Sequence, residues 1–295
     1  MRVSLQPDYV TDNTQGMYPQ VRQMSAAKPI TIGDGCDVIR WWEREAYFLE
    51  ADSLGLEGWT TISDIKSQDF IAITDNDGSY APTDQWLANR VLTVHGVYLT
   101  NSVGSTLRMS SDFQRRINAL YGPRLKVIVT DEQGVRWCYG WLSGAPSYTC
   151  LDDYGWKFQL SITCPDPRKY SVSMLKKFDT KYWPDIAWNN MGDAPCPYTV
   201  IVPQATKSVD IVHTLPNGAV HHLTWEGDAK DLTLDSQTLV ATGTATNGKD
   251  MTVNPWTGFN GRVTSAERLY LMPGVNYLRE KSGQRIRVKC ASAWW

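Results

Sequence analysis

The stretch Trp156-Lys157-Phe158-Gln159-Leu160-Ser161-Ile162-Thr163 decides the fold class. Large apolar side chains alternate strictly with polar ones, and a period of two sends the two sets to opposite faces of a strand, one dry and one wet. Just upstream, Leu125 to Thr130 leads into Asp131-Glu132-Gln133-Gly134, and Val135 to Leu142 returns. A four-residue turn with glycine last between two apolar runs predicts a hairpin. Its alternation puts Trp137 and Tyr139 on one face and Arg136 and Cys138 on the other. Further upstream, Asn89 to Thr100 carries Val91, Thr93, Val94, Val97 and Thr100, a β-branched strand. Phe70, Ala72 and Thr74 alternate with Ile71 and Ile73 in a shorter one, closed by the turn residues Asp75 to Ser79.

Between these strands the text predicts a single helix over 111–121. Ser111 with Gln114 fits a capping box; Phe113, Ile117 and Leu120 share one face; Arg115 and Arg116 fall on the outer one. Gly122 and Pro123 stop it. Trp41 to Leu49 mixes apolar and charged residues without a period, and residues 1–35 read as a strand or extended arm followed by loops.

Downstream of the deciding strand, Pro165 and Pro167 end regular pairing, since proline fixes φ and restricts the residue before it. Asp166 is placed to accept turn amides or to pair with Arg168, a structural role. Beyond residue 180 every periodic segment is a strand. Tyr198, Val200 and Val202 alternate with Thr199 and Ile201; Leu232 and Leu234 with Thr233 and Asp235; Ile286, Val288 and Cys290 with Arg285, Arg287 and Lys289. Leu215-Pro216-Asn217-Gly218 and Thr246-Asn247-Gly248 supply turns. Short strands between turns imply a sandwich or jelly roll. The reading is therefore a mainly β chain of two domains, 1–178 with the one helix and 179–295 all-β. The placement of the C-terminal strand stays open between the two.

Length and composition agree. At 295 residues the chain is two domains long on the usual rough prior of about 150 residues each. Twenty-nine basic against 31 acidic residues leave a net charge of −2, too little positive charge for nucleic acid as the main partner. The apolar runs are short, so no segment is read as spanning or inserting into a membrane, and no secretory leader is expected. The six cysteines, at 36, 138, 150, 164, 196 and 290, form no CxxC pair and are expected as reduced thiols in a cytoplasmically assembled protein. The 13 tryptophans and 14 tyrosines outweigh 6 phenylalanines, which suits half-buried sheets and protein interfaces.

Several short motifs, in order, resemble the distal tail (minor tail) proteins of long non-contractile-tailed bacteriophages infecting actinobacteria. They are Asp77-Gly78-Ser79, Asn89-Arg90-Val91-Leu92-Thr93-Val94-His95-Gly96, Phe158-Gln159-Leu160-Ser161 and Pro165-Asp166-Pro167-Arg168-Lys169-Tyr170. Asn190-Met191-Gly192-Asp193-Ala194 with Pro197, Leu271-Met272-Pro273-Gly274-Val275-Asn276 and Ala293-Trp294-Trp295 follow. The matches span most of the chain from about residue 75. The resemblance implies a split β-barrel first domain with one helix that forms a hexameric ring, and a galectin-like β-sandwich second domain. It implies a structural virion protein, assembled in the host cytoplasm, that joins the tail tube to the tail tip or baseplate and takes part in host attachment. Its partners would be its own copies, the tail tube protein, the tape measure protein, other tail-tip or baseplate proteins and a host-surface glycan.

No catalytic, cofactor-binding or metal residue is assigned, and no cofactor. His221 and His222, adjacent in a strand, point to opposite faces and cannot easily share a metal; His95 in its β-branched strand reads as structural. Asp152, Asp153, Glu226, Asp228 and Asp231 are ordinary loop carboxylates, although a glycosidase needs a carboxylate pair. The alternative to a structural role is a carbohydrate-binding module for host adsorption, with Trp225, or Trp256 beside Asn254 and Arg262, as the stacking platform. Seven of the 13 tryptophans, at 41, 42, 59, 86, 137, 141 and 156, lie in the first half. Beside them, the aromatic face of the 124–142 hairpin is expected to cover an adjoining subunit's sheet.

Overall fold

The computed structural model describes residues 1–7, 30–32, 45–49, 55–65, 71–72, 79–80, 87–100, 114–115, 117–152, 155–171, 176–179, 185–236, 240–245, 250–253 and 270–295. The protein is mainly β, as its alternation demands, and divides into two compact units. Unit 1 comprises residues 1–168 with Trp295, and unit 2 residues 169–294. Sequence reading put the boundary at 178/179; the division falls ten residues earlier, at the two prolines.

Unit 1 holds β1 (Arg2–Pro7), β2 (Ile30–Ile32), β3 (Glu45–Leu49), β4 (Leu56–Glu57), β5 (Ile71–Ala72), β6 (Ser79–Tyr80), β7 (Arg90–Thr100), β8 (Leu125–Asp131), β9 (Gly134–Leu142), β10 (Ser147–Asp152) and β11 (Gly155–Cys164). The main sheet runs β2-β1-β8-β9-β11-β7-β3, with β10 on β11, β4 on β7, and β5-β6 as a separate pair. Its inner face is the apolar half of each alternating strand: Val3 and Leu5, Leu92 and Val94, Leu125, Val127 and Val129, Phe158, Leu160 and Ile162 are all buried. Trp156, at the start of the deciding strand, is only half-buried. The β8–β9 turn is tighter than its sequence suggested. Asp131 pairs with Gly134, leaving two loop residues, and Asp131 Oδ1 accepts the Gln133 amide at 2.9 Å.

The helix ends earlier than expected. Residues 114, 115, 117 and 118 are helical, while Ala119 and Leu120 already form a turn in which the Leu120 amide reaches back only three residues, to Ile117. Ile117 and Leu120 are fully buried and Arg115 is exposed; Ser111, Phe113 and Arg116 lie outside the described residues. So do Trp41, Trp42, Trp86, Phe70, Asp77 and Gly78.

Unit 2 holds β12 (Lys169–Ser171), β13 (Lys176–Asp179), β14 (Asp185–Asn190), β15 (Cys196–Val202), β16 (Thr206–Thr214), β17 (Val220–Asp235), β18 (Val240–Ala245), β19 (Asp250–Val253), β20 (Tyr270–Leu271), β21 (Gly274–Glu280), β22 (Arg287–Cys290) and β23 (Ala293–Trp294). Its sheet order is β13-β22-β15-β17-β16-β21-β14, with β18 and β19 continuing from β17 and β20 on β15. β17 serves two neighbours: Val220 to Ala229 pair with β16, and Leu232 to Asp235 with β15. The change of partner falls at Asp231, whose φ is +54, beside a register shift between Lys230 and Thr233. Of the C-terminal strands, β22 belongs to this sheet, where it pairs with β13 and β15, whereas β23 pairs with β12 and neither is part of it. The Thr246-Asn247-Gly248 turn lies outside the described residues.

Candidate functional surface and its supports

Among the described residues no three His, Cys, Asp or Glu side chains gather as a metal site. His95 Nε2 sits 3.3 Å from Glu57 Oε1, and His222 Nδ1 lies 3.6 Å from Asp210 Oδ1. His213 is fully buried with Nε2 against Asn276 Oδ1 at 3.2 Å. Burial lowers its pKa to about 4, with the Asn276 contact opposing and His221 assisting. It stands edge-on to Tyr198, whose buried hydroxyl has its pKa raised by desolvation. Of the carboxylates considered for glycoside chemistry, Asp231 is exposed at the β17 kink; Asp153 and the side chains of Asp152, Glu226 and Asp228 fall outside the description.

The sugar-platform reading needs correction. Trp225 is buried, on the same face of β17 as buried Leu223, and packs in unit 2. A pyranose cannot stack on a ring that the core already covers. Trp256, Asn254 and Arg262 lie outside the described residues.

The quoted motifs form locks. In unit 1, Arg90 at the start of β7 is buried. Its Nε donates to Pro167 O at 2.8 Å, and its Nη1 donates to Thr61 O at 2.8 Å and to Gly58 O, with Trp59 O more distant at 3.5 Å. One guanidinium thus ties the 58–61 turn and the two-proline loop to the sheet. Burial opposes its charge, while Cys138, Cys164 and Asp166 nearby favour it. Gly58 has a φ of +77, and a Cβ there would lie 2.0 Å from Val91 O, so only glycine lets the turn lie on β7. Trp59, buried beside it, donates Nε1 to Asp131 Oδ2 at 3.0 Å. Asp166 accepts both the Arg168 amide at 3.1 Å and Arg168 Nη1 at 3.2 Å, and Arg168 in turn lies over the Trp295 ring. Cys138 and Cys164 are buried with their sulfurs 3.6 Å apart; the neighbouring thiol and burial push Cys138 up. Cys150, Cys196 and Cys290 are thiols too, and Cys36 lies outside the description.

In unit 2 the locks are neutral. Buried Asn190 donates Nδ2 to Ala194 O and Leu271 O at 2.8 and 3.1 Å, and its Oδ1 accepts the Gly192 and Ala293 amides at 3.1 and 3.2 Å. All four groups are used. A Cβ on Gly192 would fall 1.6 Å from Ala293 O. Asn276 does the same for its own turn, donating to Met272 O and Gly274 O and accepting the Met272 amide.

The β8–β9 hairpin supplies the surface. Arg136 and Cys138 point inward and are buried, while Trp137 and Tyr139 face out, half-buried and edge-to-face at 4.8 Å. Cations roof them: Arg124 lies 4.1 Å from the Tyr139 ring centroid and Lys126 4.7 Å from that of Trp137. Trp141 continues the row, 40 % exposed.

No family model and no curated protein matches the chain. Solved structures do. The Dit protein of phage SPP1, described as a paradigm of the hub adsorption apparatus in phages infecting Gram-positive hosts, is similar at a TM-score of 0.54 and 16% identity, over 81% of this chain and 92% of that one. Chains of the phage P2 baseplate in its activated conformation, with calcium and with strontium, align over 98% of both chains, at TM-scores of 0.43 and 0.42 and 9% identity. The chain shares the fold of the SPP1 protein.

Proposed function

We propose that this chain is a structural virion protein, a distal tail adaptor whose copies form a ring of six between the phage tail tube and the tail tip or baseplate. The single observation that carries this is the fold shared with the SPP1 hub protein over most of both chains. The motif resemblance and the locks built from those motifs agree with it. Unit 1 forms the ring, and unit 2 is a galectin-like sandwich used in docking and host attachment. The ring's neighbours are the tail tube, tape measure and other tail-tip proteins, and its place is the virion's tail tip. Its mechanism is geometric, not catalytic: a closed set of heterologous contacts passes symmetry from tube to tip. Negative-stain images of the purified full-length protein test this. Closed rings with six-fold averages are expected; monodisperse single copies at all concentrations overturn it.

A further inference from the structure

Unit 1 carries two unlike outer surfaces. On β1, β8 and β9 the inward positions are buried, so register sends Arg2, Lys126, Trp137, Tyr139 and Trp141 outward, with Arg124 stacked on Tyr139. None of the outward positions on these three strands is a carboxylate; Asp131, at the end of β8, turns to Trp59. This face is cationic and aromatic. Toward the other end of the strand order, β4 pairs with β7 and Ile65 with Leu87 just before it, while Trp59 reaches the end of β8. There Ile62 is 64% exposed and Ile65 53%, beside exposed Glu57 and Asp64. That edge is acidic and apolar. Exposed isoleucines so close together ask for cover.

We infer that the ring contact is made between these two surfaces, the β1-β8-β9 face of one copy receiving the 57–65 edge of the next. The inference rests on the ring reading above. Charge argues for a second copy as the occupant and for head-to-tail order. Face on face sets Arg124 and Lys126 against their own copies, and edge on edge sets Glu57 and Asp64 against theirs, so a two-fold pair repels. Face on edge pairs opposite charges and lays Ile62 and Ile65 on the aromatic row. A contact between two different patches repeats from copy to copy, the order that a closed ring requires.

The test uses full-length protein and measures mass in solution. One variant reverses the face (R124E with K126E), a second reverses the edge (E57K with D64K), and a third carries all four changes. Each two-site variant alone should need at least about tenfold more protein to assemble than the unaltered chain. Mixed in equal amounts, the two should rebuild closed oligomers with alternating copies, and the four-site chain should assemble by itself. These two recoveries also show that the variants fold. Unaltered chain that assembles together with two-site variants that assemble equally well overturns the pairing and leaves the ring reading standing. So do losses that neither mixing nor the four-site chain restores. Unaltered chain that stays monomeric overturns both.

Discussion

Arg90 in unit 1 and Asn190 in unit 2 hold the same kind of place. Each is buried at the end of a strand and gathers backbone groups from loops distant in sequence. Arg90 gathers carbonyls at 58, 61 and 167, and Asn190 gathers groups at 192, 194, 271 and 293. The chemistry is opposite. Arg90 is a cation whose bonds all run one way, from guanidinium to carbonyl. Asn190 is neutral and saturated in both directions. A buried charge makes stronger bonds but leaves a larger debt when they are broken. A neutral amide is less demanding and tolerates no change in donor–acceptor balance.

The largest expected effect follows from the first half of that contrast. Arg90→Met removes three short charge-assisted bonds and strands their carbonyls, a loss of roughly 5 kcal/mol at 1.5–3 kcal/mol per bond. Arg90→Lys keeps the charge without the fork and should recover less than half. Chemical unfolding followed by tryptophan fluorescence reads both. Full recovery by lysine would mean that charge, not geometry, holds the turn.

Asn190→Ala should come next. Four neutral bonds at about 1 kcal/mol each give about 4 kcal/mol. Asn190→Asp sharpens the contrast, because it still accepts the Gly192 and Ala293 amides but turns an oxygen on Ala194 O and Leu271 O. It should be no better than alanine at neutral pH and should improve in acid, where a protonated carboxyl can donate again. An aspartate variant as stable as the parent at pH 7 would show that the two donated bonds contribute little.

These locks were the least legible part of the sequence. The strands could be read because burial follows side-chain alternation in Phe158, Leu160 and Ile162, and again in Tyr198, Val200 and Val202. Arg90 shares the period of buried Leu92 and Val94, but what it binds could not be read, since its partners are carbonyls, which every residue has. Asn190 and Asn276 stood only inside the quoted motifs, with no role assigned, for the same reason. Trp225, named only in the alternative reading, carries a signal against it: it shares the period of Leu223, and that places it in the core. The helix ended early because its stop, Gly122-Pro123, fixes only where it cannot continue. For the candidate surface, alternation put Trp137 and Tyr139 on one face; that this face is the outer one, and its roofing by Arg124 and Lys126, needed the structure.

Acid should separate the units. Unit 1's lock does not titrate in the acid range, since arginine stays charged and carbonyls do not ionise. Unit 2 buries His213 with a pKa lowered to about 4 from 6.5. Unfolded chain takes up a proton as pH falls below 6.5, whereas the native site resists until about 4, so His213's stabilising contribution is complete above 6.5 and is lost across that window. The loss is about 3 kcal/mol at 1.36 kcal/mol per unit. Melting from pH 7 to 4 should lower unit 2's transition first, and His213→Gln should flatten the dependence. Equal sensitivity of parent and variant would place the acid response elsewhere.

The smallest effect isolates the environment from the guanidinium itself. Arg279 makes a two-toothed pair with Asp185, Nε to Oδ1 at 2.7 Å and Nη2 to Oδ2 at 3.1 Å, across β14 and β21. By distance it compares with the bonds Arg90 makes to Pro167 O and Thr61 O, and its acceptor is a full negative charge. Yet both side chains are more than half exposed, at 62% and 51%. Water already solvates both ions, salt screens them, and two long side chains must be held still, so such pairs contribute about 0.5 kcal/mol. Arg279→Ala should therefore shift unit 2's unfolding about tenfold less than Arg90→Met shifts unit 1's, and the shift should shrink further in 0.5 M salt while the Arg90 effect persists. A salt-insensitive loss of several kcal/mol at Arg279 would show that bond geometry, not burial, sets the strength of these arginines.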